Sequence, residues 1–581
     1  MRIRRVEIQN FRGIKSLDFR IPTGKKFICL IGPGDSTKST IVEAIHLALG
    51  ERWSLSLCDT DFFGGYVAEP IIIRVALADL PTEIRGHATL GLQLSGIDAE
   101  GEWRHDPTDD VEPCLIVELK VDEEMEPVWS LHRPDGAGDP QVIGTGVRRK
   151  FSVFKIDERI DNHLRWTRMS ALTRLTDSSH GTAGTLAAAL IAARSAVRGA
   201  ITPELQTLTD SIATRLSELG SGDFQELKPG LDTSLSTAGG NLALFEGSIP
   251  LTNYGLGTRR LAGIATQEMA SENKSVILID EVEYGLEPHR LVHLLKHLRS
   301  ASQHAQVVVT THSPVAIEQL DSADLAIVRC REGKATSQFV PPDLKFAQAT
   351  LRGGPSAFLA RRIVVTEGKT EFGLLLGMLE NWDESAVASN GTTSAANGVA
   401  ITDGDGSNAP SRAKVLAELC YEVALVMDND VREIDKKVTD AVAKGAQLFR
   451  CQLNNAIEDD LVADLQSGEL TGLLQVAVEN RVDESTVKSD LLNAAELEPR
   501  ITSLDVANWI AIDGLTIDQS RALIARSAKK SKWFKSVGAG RALSVFVITN
   551  AAILDATSFG MHLSSVRGFI YPTTPSLAVE G

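Results

Sequence analysis

The sequence predicts an α/β protein in which a large head, interrupted by a helical insertion, precedes a smaller domain built on a parallel sheet. Three stretches carry that prediction. Residues 32–40, GPGDSTKST, follow an apolar strand and open a helix. Residues 275–283, SVILIDEVE, form an apolar strand that ends on acids. Residues 363–372 and 423–430, IVVTEGKTEF and VALVMDND, are two further β-branched runs ending on carboxylates. Short continuous apolar runs mark strands buried on both faces, and open parallel sheets put their chemistry at the carboxyl ends of strands. At 581 residues the chain exceeds one core; at roughly 100–200 residues per domain it holds three or four units.

In the third stretch one run ends on Glu367, turns through Gly368 and enters a helix carrying Glu371, while the other ends on Asp428 and Asp430. In an extended segment residues two apart share a face, so Asp428 and Asp430 are expected to hold one cation between them with Asn429 facing away. An oxygen-only donor set suits Mg²⁺ or Mn²⁺, and carboxylates crowded without metal repel until some take up protons.

In chain order, residues 2–8 and 16–21 alternate as a hairpin, and residues 26–31 run as a strand into 32–40. That segment has P-loop spacing: Gly32, Gly34 and Asp35 offer backbone N–H groups to phosphates, Lys38 reaches the β- and γ-phosphates, the Ser39 hydroxyl meets Mg²⁺, and Thr40 continues into the helix. Thr37 stands where a glycine usually precedes the lysine. Residues 71–80, 88–94 and 114–121 read as antiparallel strands, 134–146 as a Gly/Pro-rich loop, and 184–219 as Ala/Leu-rich helices broken at Pro203, with an apolar face suited to dimerisation. Asp280 and Glu281 close the later strand as a Mg²⁺-supporting acid and a water-polarising acid. His312 ends the next strand. Residues 449–465 hold an amphipathic helix with Glu458, Asp459 and Asp460 in its first turn, where acids favour the helix dipole.

Composition is that of a globular protein, 43% hydrophobic and 23% charged. No run of about eighteen apolar residues is present and the N-terminus lacks a signal-like core, so a cytoplasmic protein with no membrane association is expected. Six scattered cysteines show no metal or disulfide spacing. The net charge of −17 disfavours nucleic acid over the whole surface, yet residues 521–541 carry seven basic groups and no acid, with Trp533 and Phe534 among them. Arg526, Lys529, Lys530 and Lys532 are the candidate DNA contacts, against a solvated helix face as the plainer reading.

The order of these motifs resembles known families. The strand-Glu, Gly, strand-Asp-x-Asp pattern over 361–465 resembles the Toprim domain, and GPGDSTKST, NYGLGTRRL, VILIDEVE and TTHSP resemble the ABC ATPase heads of chromosome-maintenance type. That resemblance implies a signature loop at 253–257 with Asn253, Gly255 and Gly257 closing over ATP bound by a second head, and His312 as the switch histidine. The whole arrangement is similar to the OLD (overcoming lysogenisation defect) nucleases, including those of Gabija-type and retron-associated anti-phage systems. It divides the chain into head residues 1–165, a dimerisation insertion at 166–240, head residues 241–345 and a Toprim domain with basic C-terminal segment at 355–581. It implies an ATP-regulated, Mg²⁺- or Mn²⁺-dependent DNA endonuclease, a homodimer or homotetramer, with a helicase or retron-encoded partner left open. Glu458 is carried over as an added metal carboxylate, Glu367 as ligand or base, and Lys535 as the lysine facing the scissile phosphate. Asp405, in TDGDGS, departs from the family's paired glycines. The competing reading is a nucleotide-gated DNA sensor or scaffold that recruits an effector without cutting.

Overall fold

The computed structural model describes residues 1–572 apart from 52–54, 87–89, 109–110, 136–139, 157–159, 167–169, 181–201, 221–223, 225–226, 233–240, 271–274, 301–303, 482, 496–500 and 502. The chain forms two units, Met1–Val340 and Pro341–Gly581.

The first unit is organised on β1 (Arg2–Phe11), β2 (Ile14–Arg20), β3 (Phe27–Ile31), α1 (Lys38–Leu49), β4 (Ile71–Ala78), β5 (Glu112–Val121), β6 (Val153–Ile156), α2 (Pro203–Glu218), α3 (Leu256–Ala270), β7 (Ser275–Ile279), β8 (His304–Thr310), β9 (Leu325–Arg331) and β10 (Lys334–Phe339). Most of its described strands make a 14-stranded sheet that changes character along its length, and residues 227–232, 241–246 and 249–250 pair as a separate three-stranded sheet. Strands β6, β7, β8, β3 and β9 lie side by side and parallel. Beyond the β9–β10 hairpin come β2, β1, β4 and β5, paired antiparallel apart from the Lys334–Ser16 bridge. Every residue of β3 and β7 is buried, as their unbroken apolar runs require of strands covered on both faces. The N-terminal hairpin forms as expected, turning at Arg12 and Gly13. The strand expected over 88–94 does not: Gly91–Gln93 is a 3-10 turn and the strand lies at Ser95–Ile97. A Cβ on Gly91 would meet the Arg85 carbonyl at 2.6 Å, so the chain doubles back too tightly there to extend.

Of the predicted dimerisation helices, residues 184–201 lie outside the described residues. Pro203 starts α2 rather than merely breaking a helix, since proline suits a first helical position and the Thr202 side chain caps it. The apolar face of α2 is spent inside its own unit. Leu205, Ile212 and Leu216 are buried, and Arg215 reaches the buried Glu268 of α3 at 3.0 Å. The described apolar residues of α2 thus pack within their own unit.

The second unit carries a four-stranded parallel sheet in the order β12, β11, β13, β14, built from β11 (Arg362–Thr366), β12 (Val399–Asp403), β13 (Glu422–Met427) and β14 (Gln447–Arg450). Between and after these strands run α4 (Lys369–Ala388), α5 (Ile457–Val462), α6 (Ile517–Lys530) and α7 (Val537–Thr549). The expected amphipathic helix over 449–465 is shorter than its pattern. Phe449 and Arg450 belong to β14, and a left-handed Asn454 separates that strand from α5. Helices α4 and α7 touch through small residues. A Cβ on Gly373 would lie 2.4 Å from the Val537 carbonyl, one on Gly540 2.6 Å from the Thr370 carbonyl, and one on Gly377 would run into Ser544. None of the described helices is long and apolar enough to cross a membrane.

Replacing Gly373 by Val inserts three carbons against backbone that cannot move away. We expect a net loss of about 1–3 kcal/mol, despite valine's better helix propensity, read as a lower urea midpoint in tryptophan fluorescence. A midpoint equal to that of the unchanged protein would contradict this helix contact.

Candidate active sites

The parallel sheet of the second unit ends its strands on one edge. Glu367 follows β11, Asp403 closes β12 and Asp428 follows β13, with Thr366 in register with both Asp403 and Val426. The chain leaves β11 through Gly368 into α4, whose first turn is closed by the Gly368 N–H donating to Glu371 Oε2 at 2.8 Å. The neighbouring Gly404 sits where a Cβ would lie 2.3 Å from the Thr366 carbonyl, and the Gly406 N–H donates to the Glu367 carbonyl at 2.7 Å. The glycine turn thus braces the Glu367 peptide. Asp405 points away from this contact, toward Arg412 at 3.4 Å.

Glu371 is only 5% exposed and Glu458 only 4%. Burial, then the nearby Glu371, Glu367 and Glu458, pushes the Asp428 carboxyl up to about 9. Burial, with Glu458 and Glu367 adding, takes Glu371 to about 7. Glu367 and Glu458 are raised for the same first reason, with Lys535 opposing in both and Asp430 adding at Glu367. The four acids are therefore electrostatic neighbours, and Asp430 is exposed at the rim. The period-two argument for Asp428 and Asp430 does not apply, because β13 ends at Met427 and the chain bends at Asn429 and Asp430.

Among the three acids of α5, the structure discriminates. Asp459 accepts from the Ala456 N–H and from Lys529, and Asp460 from the Gln452 N–H and the Asn455 amide. Glu458 Oε1 is buried with no hydrogen-bond partner. An orphaned carboxylate oxygen beside crowded acids fits a divalent cation in donor type and charge. The side chains nonetheless turn to backbone: the Asp428 N–H donates to Glu367 Oε2 at 2.9 Å and the Ile457 N–H to Asp428 Oδ1 at 2.8 Å. In keeping with that, among the described residues no group of three or more His, Cys, Asp or Glu side chains is placed so that it could hold a metal ion.

The basic run divides. Trp533 and Phe534 are core residues, Trp533 donating to Asp490 at 2.8 Å and the Phe534 carbonyl accepting from Thr370 at 3.1 Å. Lys529 pairs with Asp459 at 2.6 Å, Lys530 donates to the Asn493 carbonyl at 2.7 Å, and Arg526 to the Ala494 carbonyl at 3.4 Å. Lys532 and Lys535 are exposed, and Lys535 is the one whose charge is felt at both Glu367 and Glu458.

In the first unit the loop between β3 and α1 is shaped for phosphate. Gly32 has φ 145° and a Cβ there would lie 2.2 Å from the Val328 carbonyl. Gly34 meets no such constraint. Lys38 Nζ folds onto the loop itself, donating to the Gly32 and Pro33 carbonyls at 3.1 and 2.9 Å and to Ser36 Oγ at 3.1 Å, and burial lowers it to about 8. Asp35 and Thr37 are left-handed at φ 59° and 68°. Ser39 Oγ donates to Asp280 Oδ1 at 2.9 Å, as does Thr310 Oγ1 at 2.7 Å, so the hydroxyl and acid expected at Mg²⁺ are side by side. Partial burial, then Lys38, lowers His312. Asn253 ends a 3-10 turn, and Gly257 packs where a Cβ would lie 2.5 Å from the Gly285 carbonyl.

Three residues escaped the sequence reading. Glu283 accepts from the His312 N–H and the Thr311 hydroxyl, both at 2.6 Å. Arg260, buried in α3, donates to the Asp280 and Glu281 carbonyls at 2.6 and 2.7 Å. Arg450 grips the loop after β13. Only Glu283 left a signal, as a third acid beyond the strand in DEVE.

Residues 27–318 match the family described as AAA domain, putative AbiEii toxin, Type IV TA system, and residues 358–430 match the overcoming lysogenization defect protein-like TOPRIM domain. No curated protein matches the chain. Similar solved structures include the Smc head bound to the C-winged helix domain of ScpA (13% identity, 59% of this chain, 98% of that one, TM-score 0.38). Others are the SMC head domain from Thermotoga maritima (15%, 59%, 100%, 0.31) and the Smc head with an extended coiled coil bound to the C-terminal domain of ScpA from Pyrococcus furiosus (13%, 58%, 95%, 0.35).

A β-branched residue at φ 68° costs on the order of 1–2 kcal/mol. Thr37→Gly removes that cost and the side chain where backbone approaches phosphate. ATP affinity by calorimetry is expected to rise up to about tenfold; unchanged or weaker binding would show that Thr37 does not restrain the loop.

Proposed function

We propose, from the premise that this chain belongs to the OLD family, in which an ATPase domain is joined to a Toprim nuclease domain, that it is a divalent-metal-dependent DNA endonuclease regulated by ATP. The observation that carries this reading is the grouping of four acids where the sheet's strands end: Glu367 and Asp428 follow β11 and β13, Glu371 and Glu458 lie in the first turns of α4 and α5, and backbone hydrogen bonds link Glu367 to Asp428 and Asp428 to Ile457.

Mg²⁺ or Mn²⁺ held by Glu367, Glu371, Asp428, Asp430 and Glu458 would supply an activated water and neutralise charge on the leaving 3′ oxygen. Glu367 Oε2 is committed to the Asp428 N–H, so Oε1 is the atom that accepts the proton of the attacking water. Lys535, exposed and tied to the start of α4 through the Phe534 carbonyl, stabilises the scissile phosphate. Lys532 adds phosphate contact; Arg526, Lys529 and Lys530 contribute less, being already engaged.

At the head, Ser39 and Asp280 would hold Mg²⁺ and Lys38 would turn from its own loop to the phosphates, with Glu281 the acid for the attacking water and His312 the residue that senses the γ-phosphate. Asn253, Gly255 and Gly257 contact ATP on a second copy of the chain, which makes the working form a homodimer. Restriction of phage is the biological setting supported by the family resemblance.

The non-cutting DNA sensor is favoured by one observation, the turning of the carboxylates toward backbone N–H groups. Supercoiled plasmid with Mn²⁺ decides between the two: nicked or linear product, abolished by EDTA, is expected, and intact plasmid at all protein concentrations would favour the sensor. Asp428→Ala should cut plasmid at least about 100-fold more slowly, beyond the loss typical of outer-layer partners, with ATP binding unchanged; cleavage within a few-fold of the unaltered protein would defeat the assignment. Glu281→Gln should bind ATP while phosphate release falls by about 10²–10³, and elute with ATP as a dimer in light scattering. A single-chain mass would reject assembly across the signature loop.

A further inference from the structure

We propose that Arg450 is a positioning residue of the nuclease centre, holding the loop at 428–431 in the shape that presents Asp428 to a divalent cation. The proposal rests on the nuclease reading above. Sheet pairing stops at Met427, which stands opposite Arg450 of β14, so no strand fixes the residues that follow. On one side the loop is held by backbone: the Asn429 N–H donates to the Asn455 carbonyl at 2.8 Å, and the Asn454 N–H to the Asn429 carbonyl at 3.0 Å. On the other side stands the Arg450 guanidinium. Its Nε donates to the Asp428 carbonyl at 2.9 Å and its Nη2 to the Val431 carbonyl at 3.4 Å, while Nη1 pairs with Asp435 at 2.7 Å.

This is a fork spanning both ends of the loop and anchored behind it. A planar guanidinium can make all three contacts at once, whereas a lysine ammonium is a point charge that cannot. With its side chain 16% exposed and its donors turned to the loop, Arg450 is not a surface cation awaiting phosphate. Its effect on the reaction is exerted through Asp428, so the loss expected on substitution is in metal affinity. Outer-layer partners of metal ligands typically change that affinity by about 10–100-fold.

The test is Mn²⁺ binding to the full chain by calorimetry, with plasmid cleavage measured across Mn²⁺ concentration. Arg450→Lys is expected to weaken Mn²⁺ by about tenfold, to lower cleavage at limiting Mn²⁺ and to recover much of it at saturation, with KM for DNA and its salt dependence unmoved. Asp435→Asn, which keeps the arginine and loosens its anchor, should shift Mn²⁺ affinity in the same direction by less. These two decide the matter even where Arg450→Ala fails to fold. Mn²⁺ affinity within twofold of the unaltered protein in folded Arg450→Lys would overturn the proposal, as would a raised KM with a flattened salt slope, the signature of a phosphate contact. If the unaltered protein binds no Mn²⁺, the nuclease reading falls and this proposal with it. Binding lost in Asp428→Ala yet kept in Arg450→Lys removes Arg450 alone.

Discussion

The approach of α4 to α7 governs the nuclease centre more than any single charged group. Gly373, Gly377, Gly540 and Ser544 let two helices come so close that added carbons would strike backbone or the facing serine. That contact brings the turn before α7 against the start of α4, where Thr370 donates to the Phe534 carbonyl. Lys535 follows directly on that contact, and its charge lowers Glu367, which follows β11, and Glu458, in the first turn of α5. Glycine has no side chain to pack, and its cost in helix stability, roughly 0.5–1 kcal/mol relative to alanine, is accepted here at three positions along one seam.

On that frame the acids are held in a state they would not choose. Burial raises Glu367, Glu371, Asp428 and Glu458 together, with Glu367 and Glu458 raising both Glu371 and Asp428 further, and Glu371 raising Asp428. Backbone N–H groups at Gly368, Asp428 and Ile457 relieve Glu371, Glu367 and Asp428, and a backbone hydrogen bond also lowers Glu458, whose Oε1 has no hydrogen-bond partner. Carboxyls crowded and buried in this way take up protons more readily than free ones, and nearby positive charge opposes that.

Much of this was legible in the chain, for a physical reason: strands buried on both faces must be continuous apolar runs, and what ends them is therefore conspicuous. The turn from Glu367 into α4, the Asp280–Glu281 pair and the 32–40 loop were all visible on that account. The alternation of Asp428 and Asp430 misled, because it assumed a strand where Met427 had already ended one. The basic run misled in part, because a sequence shows that Lys529 is charged and not that Asp459 faces it. Glu283, Arg260 and Arg450 were invisible since each acts on backbone groups brought near only by folding. The apolar residues of α2 gave no sign in the sequence that the core of their own unit would cover them.

The central claim is that the acids on this one sheet edge form the metal site. Anomalous diffraction from crystals grown with Mn²⁺ tests it most directly. The account predicts peaks among Glu367, Glu371, Asp428 and Glu458, with Asp430 at the rim and Glu458 Oε1 within bonding distance; peaks confined to Asp403 and Asp405, or none in the second unit at Mn²⁺ concentrations that support cleavage, would contradict it.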